Sequence, residues 1–137
     1  MILITGSESF VGKELISQCK KAGIDCIGID VLERENLDYQ YYNIDLRASE
    51  LDNIVPEELD AIIHLAAISR DTDCKKNVPK CFDVNVKGTL NLISVCKKKK
   101  AKQFIFASSE WVYEGFKKDE EKDENSIIDM TKVSSEY

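Results

Sequence analysis

The chain opens MILITGSESFVG and passes through strand, tight turn, helix and a second strand within about thirty residues. Ile2, Leu3 and Ile4 form a short apolar run that breaks at Gly6. Phe10, Val11, Leu15, Ile16 and Cys19 then follow at helical spacing. The helical signal stops at Lys20, Lys21 and Gly23, with cations in the last turn and glycine just beyond. Ile24 to Val31, reading IDCIGIDV, is a second strand. Two strands joined by one helix over so short a length make a right-handed parallel βαβ unit, which confines the fold to the α/β class.

The rest of the chain continues the alternation. Leu32 to Gln40 is polar and reads as loop, YYNID (41 to 45) as a third strand, and Leu46 to Val55 as a short helix ended by Pro56. Asp60 to Ala67, DAIIHLAA, is a nearly continuous apolar run of the kind a central parallel strand needs when both its faces are buried. Ile68 to Asn77 reads as a polar loop. The spacing of Phe82, Val86, Leu90 and Ile93 predicts one long helix over Val78 to Lys100, with Pro79 in its first turn and Lys97 to Lys100 in its last. Gln103 to Ser108 is a fifth strand, and Lys117 to Asn125 a charged loop. The expected architecture is an open, doubly wound parallel sheet in the order 3-2-1-4-5, one domain over 1–137, with the ligand crevice where the order reverses. That arrangement sets Gly6 to Gly12 and His64 to Ala67 on the same side of the crevice.

Composition bounds the partners. With 137 residues, 43% hydrophobic and 32% charged, the chain is large enough for a real core. A formal charge of -6 argues against non-specific nucleic-acid binding, which needs a net basic face. No apolar stretch spans a bilayer and no signal peptide is read, so no membrane partner is expected and the cytoplasm is the default. Five cysteines, Cys19, Cys26, Cys74, Cys81 and Cys96, at irregular spacing and with one histidine in the chain, predict reduced, mostly buried thiols and no metal site. His64 reads as a packed, hydrogen-bonded core residue.

The first turn has chemistry of its own. A helix that opens after Gly6 to Gly12 directs backbone N–H groups and the positive end of its dipole over the strand, where a pyrophosphate can sit. Taken alone, two glycines in a turn need mean no more than close packing. Asp30 ends the second strand eighteen positions after Gly12, where an acid accepts from adenosine ribose hydroxyls and repels a 2′-phosphate. NAD is then expected, with NADP disfavoured.

Further segments carry a family resemblance. Gly6 to Gly12 resembles a TGxxGxxG turn with Ser9 in the middle glycine's place, and Asp45-Leu46 resembles an acid and apolar pair that contacts adenine. HLAA at 64 to 67, Asn85 to Thr89 (NVKGT) and Ala107 to Tyr113 (ASSEWVY) follow in order. Together they resemble the extended short-chain dehydrogenase/reductase family, in its NAD-dependent epimerase/dehydratase branch, which typically acts on nucleotide sugars. The resemblance implies a cofactor set of Gly6, Ser9, Phe10, Val11, Gly12, Asp30, Asp45, Leu46, Leu65, Ala66, Ala67, Asn85 and Ser108. It also implies a nucleotide-sugar substrate and a homodimer paired through the long helices. Asn85 could equally tie its helix to a strand end, and Trp111 and Tyr113 could equally be core aromatics. Glu110 reads as a solvated loop acid.

In such enzymes a hydroxyl at the end of the fifth strand, a tyrosine and a lysine four residues beyond it do the chemistry. A phenol normally near pKa 10 must be made more acidic to take the carbinol proton. Ser109 matches the hydroxyl. The literal YxxxK, Tyr113 to Lys117, belongs to another motif and is interrupted by Gly115. Two registers remain: Lys132 with Ile128 in the tyrosine's place, or Tyr137 after Ser134-Ser135-Glu136. The second makes Ser109 and Tyr137 the catalytic pair and leaves the lysine and the substrate domain outside the chain. The expectation is a domain truncated before the substrate portion, with little or no turnover by itself. The alternatives are a non-catalytic dinucleotide-binding or interaction module, and an unstable fragment of a longer reading frame.

Overall fold

A computed structural model describes residues 1–109. Five strands, β1 (Ile2–Thr5), β2 (Cys26–Asp30), β3 (Gln40–Asn43), β4 (Ala61–His64) and β5 (Gln103–Phe106), form one sheet in the order β3-β2-β1-β4-β5. All pairings are parallel, with Thr5 opposite Ile29 on one side and His64 on the other, and Asp30 opposite Asn43. The strand order and the α/β class are those the sequence predicts.

Side chains alternate across β1, and that alternation divides the core. Leu3 packs with Ile27, Ile29, Ile62, Leu92 and Val95 on one face, while Ile4 packs with Ile16 and Cys19 on the other. Helix α1 (Phe10–Lys21) covers the second face, and α5 (Thr89–Lys98) covers the first. Between β3 and β4 lies the short helix α2 (Leu51–Ile54), with Leu51 buried in the first core.

Three segments differ from the sequence expectation. The polar stretch 68–77 contains helix α3 (Asp71–Lys76), and the long helix is divided into α4 (Val78–Phe82), a π-helical turn (Asp83–Gly88) and α5. The apolar spacing also points to the wrong face. Val86 is buried, but Phe82 and Ile93 are exposed and Leu90 is 54% exposed, while Cys81, Asn85, Thr89, Leu92 and Val95 face inward. A π turn holds more residues than an α turn and rotates the helix face, and Asn85 and Thr89 carry the buried stripe as polar residues that hydropathy overlooks. At the start of α1, Val11 is likewise exposed, leaving Ile16 and Cys19 as the buried anchors.

The third difference is a disulfide. Cys74 and Cys81 are bonded, where the sequence predicts free thiols. Helices α3 and α4 meet at Asn77, whose side chain caps α4 by accepting from Lys80 N–H at 3.0 Å, and this bend brings the two Cα atoms within 5.1 Å. Cys19, Cys26 and Cys96 are free thiols, with Cys19 buried and the other two partly buried.

Candidate functional site

The carboxyl ends of β1, β2 and β4 meet where the sheet order reverses. Gly6 takes φ +69° there, and its N–H donates to Ile29 carbonyl oxygen at 2.8 Å, folding the turn onto β2. A Cβ at Gly6 would stand 2.8 Å from Ala66 N, so the turn lies directly on the segment that leaves β4. Gly12 is tighter still: a Cβ there would fall 2.2 Å from Gly6 O. The start of α1 therefore rests on the turn, backbone against backbone, and the two motifs expected on one side of the crevice are in contact.

Ser9 is the N-cap of α1, its Oγ accepting from Gly12 N–H at 3.0 Å with backbone φ at −69°. The hydroxyl is thus turned onto the helix, and a serine is accommodated at this point without left-handed backbone. Phe10 and Val11 occupy the first turn, whose amides lack acceptors within the helix, and their side chains project outward, Phe10 94% exposed. This is a first helical turn with backbone donors and an apolar rim.

Asp30 closes β2. Its Oδ2 accepts from Glu8 N–H at 3.0 Å and its Oδ1 from Leu32 N–H at 3.2 Å. Each carboxylate oxygen has a second lone pair, so the group can hold the loops on both sides and still take hydroxyl donors. Asp45 is gripped by Arg47, Nε at 2.9 Å and Nη2 at 2.7 Å, and the Arg47 guanidinium keeps its carboxyl below the ordinary value. Leu46 turns its side chain into the first core, while its carbonyl accepts from Asn91 at 2.6 Å.

A buried polar chain fixes the β4 end. Thr89 Oγ1 donates to Asn85 carbonyl oxygen at 2.7 Å, so its lone pair receives the His64 Nε2–H at 2.8 Å. Nδ1 of His64 then accepts from Thr5 Oγ1 at 2.7 Å, and Thr5 Oγ1 in turn accepts from Ala66 N–H at 3.3 Å. His64 is the packed core histidine the sequence predicts, flanked by the rings of Phe104 and Phe106. Asn85 works as a second clamp. Its Oδ1 accepts from Ile68 N–H at 2.8 Å and its Nδ2 donates to Ile68 O at 3.1 Å, which ties the π turn to the segment after Leu65, Ala66 and Ala67. A cleft of about 510 Å³ opens beyond Ala67 and Ile68, lined also by Arg70 and Lys80.

Sequence reasoning passed over one cluster. Glu8, inside the glycine turn, is buried, and its carboxylate accepts from Arg34 Nε at 2.9 Å and Tyr39 hydroxyl at 2.8 Å, with Lys13 Nζ at 3.5 Å. Burial pushes the Glu8 carboxyl up, but Arg34, Tyr39 and Lys13 together outweigh it and hold the group below the ordinary glutamate value. Tyr39 lies over Gly28, where a Cβ would meet its ring at 2.5 Å; burial and then the Glu8 carboxylate push its phenol upward. The glycine within the apolar strand IDCIGIDV was the legible sign of this close approach.

Ser108 and Ser109 follow β5, where Ala107 N–H donates to His64 O at 3.1 Å. Tyr137 lies outside the described residues, as do Glu110, Trp111, Tyr113, Lys117, Ile128 and Lys132. Among the described residues no cluster of three His, Cys, Asp or Glu side chains could hold a metal, and no helix is long and apolar enough to cross a membrane.

A glycine turn seated on β4, a capped helix start and an acid at the end of β2 define a Rossmann-type dinucleotide-binding fold. The chain belongs to the NAD dependent epimerase/dehydratase family, whose sequence profile matches residues 2–137. It is 32% identical to a dTDP-D-glucose 4,6-dehydratase of Dictyostelium discoideum, over 92% of this chain and 33% of that protein. A D-erythronate dehydrogenase of Haemophilus influenzae is 34% identical over 83% of this chain and 39% of its own length. This chain thus spans well under half of the length of these relatives. Among solved structures, a UDP-glucose 4-epimerase of Thermus thermophilus in complex with NAD superposes with a TM-score of 0.84 at 24% identity, over 98% of this chain and 48% of that one. A short-chain dehydrogenase/reductase superfamily protein of Agrobacterium tumefaciens with bound NAD gives 0.82 at 25%, over 99% and 43%.

Proposed function

We propose that residues 1–137 make up the NAD-binding portion of an epimerase/dehydratase-like oxidoreductase that works on a nucleotide sugar in the cytoplasm. The observation that supports this best is the convergence of the Gly6 turn, the first turn of α1 and the Asp30 carboxylate at one end of the sheet. The bare backbone at Gly6 and Gly12 lets the turn, the start of α1 and the segment after β4 close on one another, which holds the first-turn amides at the crevice where a pyrophosphate would sit. In this reading the amides of Phe10 and Val11 hold the pyrophosphate, and Asp30 holds the adenosine ribose. Asp45 and Leu46 flank the adenine. Leu65, Ala66, Ala67 and Ser108 form the wall along the dinucleotide. Asn85 serves the site by holding that wall through Ile68. Ser9 contributes through the cap that sets the direction of the first turn.

A bound nicotinamide supplies a hydride acceptor that can return the hydride. Ser109 would hold the substrate oxygen, and Tyr137 would take its proton. A phenol does this near neutral pH only beside positive charge, because its ordinary pKa is about 10. The polypeptide of 137 residues, assayed by itself, is expected to convert a nucleotide sugar slowly or not at all. General acid-base assistance is worth about 10² to 10⁴ in rate, and these 137 residues span only 33% of the related dehydratase's length. Two copies would pair through the outer face of α4 and α5, where Phe82, Leu90 and Ile93 are exposed.

Calorimetric titration with NAD and NADP tests the cofactor reading. NAD should bind and NADP should bind more weakly. Absence of binding by either at millimolar concentration would refute the site, and preference for NADP would refute the role of Asp30. Light scattering of the wild-type chain and of a Leu90→Glu, Ile93→Glu variant tests the pairing. A wild-type monomer would end that part of the proposal.

A further inference from the structure

The Glu8 cluster stands beside the ribose acid and has no part in holding the dinucleotide as described. Glu8 donates its own N–H to Asp30 Oδ2, so its backbone and the ribose carboxylate are in direct contact. Its side chain is only 5% exposed and pairs with two cations, Lys13 and Arg34. Arg34 lies four residues beyond Asp30 and directs Nε to Glu8 Oε2, while Lys13 approaches the same oxygen from the first turns of α1. Tyr39 hydroxyl fixes the other oxygen, and the ring is seated on Gly28, so the carboxylate cannot rotate away from Arg34 without breaking a bond. A cleft of about 620 Å³ borders Glu8, Lys13, Arg34 and Tyr39. There is room here for a group larger than water.

We propose that Glu8 is a specificity-determining residue that keeps Arg34 and Lys13 from serving a 2′-phosphate, so that Asp30 and Glu8 together exclude NADP. This deepens the NAD-binding reading and rests on it. The physical basis is how the local charges are engaged. Asp30 and Glu8 offset the charges of Arg34 and Lys13, and Asp38 offsets that of Lys20 on the same cleft, which Lys21 also lines, so the cations bonded beside the ribose acid are already held by a carboxylate. An arginine is well suited to accept a 2′-phosphate through paired N–H donors, but here its Nε is already committed to a carboxylate. Removing the Glu8 charge releases one positive charge and a guanidinium at the point where the phosphate would arrive. An acid inside the glycine turn therefore acts with the acid at the end of β2.

The test is calorimetric titration of NAD and NADP into the wild-type chain, Glu8→Gln, Arg34→Met and the double variant, with far-UV circular dichroism confirming the fold of each. Glu8→Gln should tighten NADP by about ten- to a hundred-fold, the range of one charge-assisted hydrogen bond, while NAD affinity changes less than about threefold. Arg34→Met should leave NADP affinity unchanged in the wild-type background and abolish the gain in the Glu8→Gln background. A ratio of NADP to NAD affinity in Glu8→Gln within twofold of wild type would overturn the assignment. So would a tenfold loss of NADP affinity in Arg34→Met alone, which settles the matter even if Glu8→Gln does not fold. A wild-type chain that binds neither nucleotide fails at the first titration and overturns the cofactor reading itself, whereas a wild type that binds NAD with an unmoved variant ratio overturns only Glu8.

Discussion

Gly12→Ala perturbs the molecule at its tightest backbone contact. The added Cβ would lie 2.2 Å from Gly6 O and 2.8 Å from both Ser7 C and Ser7 Cα, and every one of these atoms is main chain. A carbon and a carbonyl oxygen need about 3.2 Å, so α1 and the turn must separate by roughly 1 Å. Side-chain rotation cannot supply that movement. The separation would strain the Ser9 N–H bond to Gly6 O, at 3.0 Å, and the Ser9 cap on residue 12. Overpacking of this kind costs about 1–3 kcal/mol, and losing the cap adds about 1 kcal/mol, giving about 2–4 kcal/mol in total. In urea at pH 7 this is a fall in midpoint of roughly 1–2 M. Gly88→Ala is the matched control, because its Cβ would meet Leu46 Cβ at 3.4 Å, Asp83 O at 3.8 Å and Arg47 Cγ at 3.9 Å, all ordinary contacts, and alanine is the better helix former. It should be neutral or stabilise by up to about 1 kcal/mol. A Gly12→Ala midpoint within the error of wild type, or a larger loss at Gly88 than at Gly12, would refute the assignment of Gly12 to backbone contact. NAD titrated into folded Gly12→Ala should bind more weakly, since the displaced turn is the proposed pyrophosphate seat.

The inward face of α5 can be checked by Leu92→Ala, which should cost about 2–5 kcal/mol in urea unfolding because Leu92 is fully buried, against less than about 0.5 kcal/mol for exposed Leu90→Ala. Equal losses would restore the unbroken helical stripe. The Cys74–Cys81 bond closes a loop with a sequence separation of 7, worth about 2.5 kcal/mol by chain entropy. A reductant should lower the unfolding midpoint of wild type and leave a Cys74→Ala, Cys81→Ala variant unmoved; identical midpoints with and without reductant would deny the bond. Acid unfolding reports on Glu8. Its folded pKa lies below the ordinary 4.5, so its contribution is complete above that value and is lost as pH falls through the folded pKa. The stability difference between wild type and Glu8→Gln should shrink as pH is lowered from 5 to 3, and a difference that grows would reverse the inferred sign.

Much of the fold was written locally. The break of Ile2–Ile4 at Gly6, the helical spacing through Cys19 and the strand ending at Asp30 determine a parallel unit by chain length and handedness alone, and the apolar run AIIHLAA marks a strand covered on both faces. The glycine turn and Asp30 were legible because main-chain conformation and strand ends leave short-range signs. Tertiary structure decided what depends on distant partners. Phe82, Leu90 and Ile93 have helical spacing yet face outward, because Asn85 and Thr89 take the interior by bonding to Ile68 and His64. Cys74 and Cys81 gave no sign of pairing until Asn77 bent the chain between them. Nothing local singles out Glu8 within the glycine turn. Only the packing of Arg34 and Tyr39, brought in from beyond β2, makes it a buried ion, since a charge can leave water only where opposite charge and hydrogen bonds replace it.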